Sequence, residues 1–258
     1  MKLFIGGDIT PTQITSPVFD RGDLDALFGT VTALTRTGDA FIANLECALT
    51  DSDTPIRKCG PNLRGRPAYA RLLKEFGLTA VGLSNNHVFD FGQPGLRETL
   101  ASLDAAGLPW TGIGEDEQDA RKPLFLEAAG KCVAFLCVAE HEYSYALPKI
   151  GSKPGRVGVW GFDPFQCMEY ITLAKEKADY VIVLYHGGKE QCRYPPPACA
   201  GPVRPWCVPA RTSSPASTPT ASAAMRNTRA RASSTARATS TSWAWWIIPT
   251  GSTACCWS

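Results

Sequence analysis

Short apolar runs that each give way to a polar, metal-capable side chain recur along this sequence, and they constrain its fold more than any other feature. Residues 3–7, 40–45, 80–84, 133–138 and 180–185 read as buried strands, and amphipathic stretches at 24–34, 68–76, 95–106 and 164–177 read as helices. That alternation specifies a layered α/β domain. In open α/β sheets ligands bind beyond the carboxyl ends of the strands. Asp8, Glu46, Asn86, His87 and His186 each stand at such an end. Carboxylate and amide oxygens mixed with imidazole suit Mn, Zn, Fe or Mg, and the absence of a thiolate argues against a closed structural zinc.

The net charge of +2 hides an uneven distribution. Residues 1–198 carry 20 Lys+Arg against 24 Asp+Glu, whereas residues 199–258 carry six Arg and neither acid nor lysine. A mildly acidic body argues against nucleic-acid binding. No stretch reaches the roughly 20 apolar residues a membrane-spanning helix requires, and residues 1–6 lack a signal-peptide layout, so a cytoplasmic protein is expected. Cys47, Cys59, Cys132, Cys137, Cys167 and Cys192 show no paired spacing and read as reduced thiols.

Each motif has an ordinary reading when taken alone. Asp8 after Gly7 suits a turn or cap, and His186 after an apolar run suits a structural histidine. Asn86-His87 is more specific: asparagine is an uncommon metal ligand, and the adjacent histidine can serve as general acid in phosphoester cleavage. Asp90 lies three residues on, placed to orient that imidazole. Taken in order, Asp8, Asn44-Leu45-Glu46, Ser84-Asn85-Asn86-His87 with Asp90 and Gly92, Gly112-Ile113-Gly114 and Tyr185-His186-Gly187-Gly188-Lys189-Glu190 resemble the CapA family of capsule and poly-γ-glutamate synthesis proteins. The resemblance covers about residues 1–197.

That family is similar to calcineurin-like metallophosphoesterases, which implies a β-sandwich flanked by helices and a two-metal site. By the same resemblance Asp8, Glu46, Asn86 and His186 would be metal ligands and His87 the proton donor, oriented by Asp90. The implied substrate is phosphorylated or polyanionic. Ile9-Thr10 follows Asp8, so the Asp-x-His of typical phosphoesterases is lacking. Two alternatives stay open: a non-catalytic assembly or binding component of polymer synthesis, and a general cytoplasmic metallophosphodiesterase or nucleotidase.

The family pattern also expects a late His-x-His pair and a Gly-x-Gly-Asn-Phe segment, yet the chain holds only His87, His141 and His186. Residues 198–258 are instead rich in Ala, Ser, Thr, Pro, Arg and Trp. Residues 237–243 can be encoded so that a shift of one nucleotide reads Gly-Asn-Phe-Asn-Phe-Leu, and the same shift over residues 208–228 allows His-Pro-His. The sequence reading is therefore a domain at 1–197, incomplete at its C-terminus, and an out-of-frame, disordered tail at 198–258. In that reading the apolar run 243–248 has no partner.

Overall fold

The computed structural model describes residues 1–140, 145–147 and 155–187, together with the backbone of Trp243–Pro249 and Cys255–Trp257. The chain runs β1 (Leu3–Ile9), α1 (Ser16–Asp20), α2 (Leu24–Phe28), α3 (Val31–Thr35), β2 (Ala40–Leu45), β3 (Ala48–Leu49), β4 (Arg64–Gly65), α4 (Tyr69–Phe76), β5 (Ala80–Gly82) and α5 (Gly92–Ala105). It continues through β6 (Trp110–Thr111), β7 (Ile113–Gly114), α6 (Glu117–Ala120), β8 (Leu124–Ala128), β9 (Lys131–Ala139), β10 (Gly158–Val159), α7 (Pro164–Lys175) and β11 (Tyr180–His186). The last strands are β12 (Trp243–Pro249) and β13 (Cys255–Trp257). The helix expected over 24–34 is two short helices, because Gly29 closes the first at a φ of 55°.

Two sheets carry the body. The first, in the order β1-β2-β5-β6, is parallel throughout. The second, in the order β13-β12-β11-β9-β8, is parallel only where β11 meets β9. Alternation along β2 shows how they stack. Phe41, Ala43 and Leu45 face outward onto Leu73 and Phe76 of α4 and Leu96 and Leu103 of α5. Ala40 and Ile42 face inward, in one cluster with Phe135 and Cys137 of β9 and Ile182 and Leu184 of β11. The outer face of the second sheet, through Leu136, Val181 and Val183, packs on Cys167, Ile171 and Ala174 of α7. The result is helices, sheet, sheet, helix: the layered α/β domain read from the sequence, in the helix-flanked β-sandwich form that the resemblance implies.

The apolar run near the C-terminus does have a partner. β12 pairs antiparallel with β11 from Tyr180↔Pro249 to His186↔Trp243, and β13 pairs with β12. The expectation of an unpaired run is corrected on physical grounds. An open strand edge offers a row of backbone donors and acceptors to any β-prone segment, and Trp-Ala-Trp-Trp-Ile-Ile is such a segment whatever surrounds it. Residues 188–242, with Gly188-Lys189-Glu190, Cys192 and most of the expected tail, lie outside the described residues. Among the described residues no helix is long and apolar enough to cross a membrane.

Cys47, Cys59, Cys132, Cys137 and Cys167 are free thiols, and burial pushes those of Cys137 and Cys167 up to about 12. The sheets approach closely at Gly82, where an added Cβ would stand 2.6 Å from Cys137 Sγ and 3.1 Å from its Cβ. Gly82→Ala should therefore destabilise the fold by about 1–3 kcal/mol through overpacking. Adding Cys137→Ala should recover part of that loss. Urea denaturation of the two single variants and the double variant reads the coupling; additive losses would place the strain elsewhere.

Candidate metal centre

The site caps the core between the two sheets at the carboxyl ends of their strands. Strand parity puts Asn44 and then Glu46 on the inward side that Ala40 and Ile42 begin, and puts His186 on the side of Ile182 and Leu184. β1 needs a correction of phase to join them. Its residues pair Leu3↔Ala40 and Ile5↔Ile42 but then Asp8↔Asn44, so three steps on β1 answer two on β2. This bulge at Gly6-Gly7 inserts one residue and brings Asp8, rather than Gly7, opposite Asn44. Gly6, Gly7, Asp8, Asn44, Cys137 and His186 line a cleft there.

The structure brings Asp8, Glu46 and His186 together, each offering one ligand atom, with all three atoms within 4.8 Å of one another. Among the described residues this is the one such cluster. The His186 ring stands between the carboxylates. Its Nδ1 lies 3.6 Å from Asp8 Oδ1, and its Nε2 lies 3.6 Å from Glu46 Oε1 and 3.1 Å from Asn86 Oδ1. Side-chain exposure is 15% for Asp8, 10% for Glu46 and 4% for His186. Two carboxylates so far withdrawn from water, with one imidazole between them, are a demand for positive charge. Their oxygens, an amide oxygen and an imidazole form a donor set that fits a divalent cation.

Two asparagines that the sequence reading left without a role frame this cluster. Asn44 donates from Nδ2 to Asp8 Oδ1 at 2.6 Å, with His186 Nδ1 at 3.4 Å from the same nitrogen. Asn85, fully buried, donates to Asn44 Oδ1 at 3.1 Å and to the Leu45 carbonyl at 2.8 Å. Its own Oδ1 accepts from the His87 and Val88 amides at 3.0 and 2.9 Å. Asn85 thus fixes the turn that aims Asn86 into the cluster. Parity along β2 could have identified Asn44, since it is the last inward residue of that strand.

His87 and Asp90 form a pair beside the cluster. His87 Nδ1 is 2.7 Å from Asp90 Oδ2, which also accepts from the Leu63 amide at 2.7 Å. An ionised carboxylate only accepts, so the shared proton sits on Nδ1 and Nε2 is left as the second working nitrogen. Lys58, which sequence reasoning passed over, ion-pairs with the other Asp90 oxygen. It lies in a segment of no periodicity, and only the fold brings it near.

Among known proteins, the chain is 26% identical over 198 residues to the capsule biosynthesis protein CapA of Bacillus anthracis, a match covering 74% of this chain and 47% of that protein. It is 26% identical over 191 residues to the PGA biosynthesis protein CapA of Bacillus subtilis, covering 71% and 48%. The chain thus spans about half the length of these curated relatives. A solved structure, the NAD nucleotidase NadN of Haemophilus influenzae, resembles it with 15% identity and a TM-score of 0.40, over 67% of this chain and 28% of that one. The family described as bacterial capsule synthesis protein PGA_cap matches residues 2–200, and the chain belongs to that family.

Proposed function

We propose that this chain carries a metal-dependent phosphoester-cleaving site serving capsule or poly-γ-glutamate synthesis. The observation that supports it most is the convergence of Asp8, Glu46 and His186 within 4.8 Å, with Asn86 on His186 and the His87–Asp90 pair at the next residue. Asp8, Glu46, Asn86 and His186 would hold the cation, Mn, Zn, Fe or Mg. When bound, such an ion polarises a phosphoryl oxygen and lowers the pKa of water.

The chain's own groups do the rest. Asp90 holds His87 by Nδ1; with Nε2 also protonated, that nitrogen gives its proton to the leaving oxygen as its bond to phosphorus breaks, while water adds from the other side and releases a proton to solvent. Asn44 and Asn85 keep Asp8 and the Asn86 turn in place before substrate arrives. The substrate class is a phosphorylated or polyanionic molecule. A second reading, a non-catalytic assembly component, is favoured by one observation: Thr10 stands where typical phosphoesterases have the histidine of Asp-x-His.

Two outcomes test these readings. With Mn2+ and bis(p-nitrophenyl) phosphate, His87→Ala should lower turnover about 100-fold or more while bound manganese stays unchanged. Equal metal loss in that variant would remove the proton-donor role. Asn86→Ala and His186→Ala should weaken manganese binding itself by about 10-fold or more, measured by equilibrium dialysis. A chain that retains manganese through these ligands but cleaves no phosphoester would support the assembly reading.

A further inference from the structure

Lys58 is held by two groups of the turn that carries the proposed proton donor, and it approaches a third. Its ammonium ion-pairs with Asp90 Oδ1, donates to the Asn86 carbonyl at 3.3 Å and stands 3.1 Å from His87 Nδ1. The lysine side chain is 11% exposed and Asp90 is 0% exposed, so this pair is buried under the segment that contains Lys58. That segment is laid on the turn by further bonds. The Ile56 amide donates to the Asp90 carbonyl at 2.8 Å, Asn62 donates to the same carbonyl at 3.2 Å, and the Leu63 amide donates to Asp90 Oδ2.

The two Asp90 oxygens therefore have separate duties. Oδ2 accepts from the imidazole and from an amide, while Oδ1, which has no hydrogen-bond partner, faces the ammonium as an ion pair. With one oxygen alone engaged, a carboxylate can turn about its own axis and carry the ring with it. With the ammonium held against the second oxygen, the ion pair opposes that turn. An ammonium has only donors, so with the proton on Nδ1 the 3.1 Å approach of Lys58 is no bond to the ring, and Lys58 acts on His87 only through Asp90 and the Asn86 carbonyl.

We propose that Lys58 is a positioning residue: by clamping Asp90 Oδ1 and the Asn86 carbonyl, it fixes the carboxylate that orients His87 and ties that orientation to the turn bearing the Asn86 ligand. The role rests on the phosphoesterase reading only for its catalytic consequence. The orientation itself is a property of the chain without metal.

The full chain is therefore tested in two ways. In metal-free protein, the imidazole N–H resonance of His87, identified by its absence from His87→Gln, should be visible by NMR in the parent and in Lys58→Arg. It should be lost to solvent exchange in Lys58→Met, with the remaining amide spectrum unchanged. With Mn2+ and bis(p-nitrophenyl) phosphate, Lys58→Met should lower kcat about 10–100-fold with KM and bound manganese unchanged. The same change in a His87→Ala background should cost nothing further. If Lys58→Met fails to fold, Lys58→Gln, neutral but still a donor, replaces it, with partial loss of the resonance expected.

A resonance fully retained in the folded neutral variant overturns the role, as does an equal kcat loss in the His87→Ala background. Loss of manganese in parallel with turnover overturns it too, because Lys58 would then act on the ligands alone. A parent that shows the protected resonance yet cleaves nothing refutes the phosphoesterase reading while the orientation role stands. A parent without the resonance refutes the orientation role whatever its activity.

Discussion

A strand shows alternate residues to alternate faces, so the residue that ends each inward row decides what stands over the core between two sheets. Here those rows run Ala40-Ile42-Asn44 on β2 and Ile182-Leu184-His186 on β11. Their apolar members stabilise the sandwich by leaving water, at about 25 cal/mol per Å2 of apolar surface. Their last members are polar and meet at its open end. The same packing that makes the fold therefore gathers the site, and a one-residue slip in any contributing strand would turn its functional side chain to the wrong face.

β1 shows how closely this is controlled. Without the bulge at Gly6-Gly7, Gly7 would share the inward row and Asp8 would face the helices. The inserted residue costs some regularity of pairing and restores the carboxylate to the cluster, where Asn44 holds it at 2.6 Å. Behind this layer a second set of hydrogen bonds, centred on Asn85 and Asp90, fixes the turn from β5 toward α5. The first set gathers charge; the second aims the groups beside it. Such supporting bonds matter because a loosely held ligand or proton donor loses much of its effect.

Much of this was legible in the sequence because the central strands β2, β9 and β11 are apolar and buried on both faces. Residues 181–184, Val-Ile-Val-Leu, and 133–138 permit few other readings. Strand ends then pointed to Asp8, Glu46, Asn86 and His186 through a general rule of α/β sheets. What was not legible depended on phase or on distance along the chain. The bulge at Gly6-Gly7 leaves no periodic trace in seven residues of strand. Lys58 approaches Asp90 across 32 positions from a segment without repeat or cap signals. The pairing of Trp243–Pro249 is not legible in the overall composition of residues 198–258, because a strand edge responds to a local run.

The central claim is that the strand ends of two sheets build one cation site. Anomalous diffraction from crystals of the full chain soaked in Zn2+ tests it most directly. The account predicts a peak at about 2.0–2.2 Å from oxygen or nitrogen atoms of Asp8, Glu46, Asn86 and His186. Zinc bound only at other residues, with these four side chains keeping their mutual contacts, would contradict it.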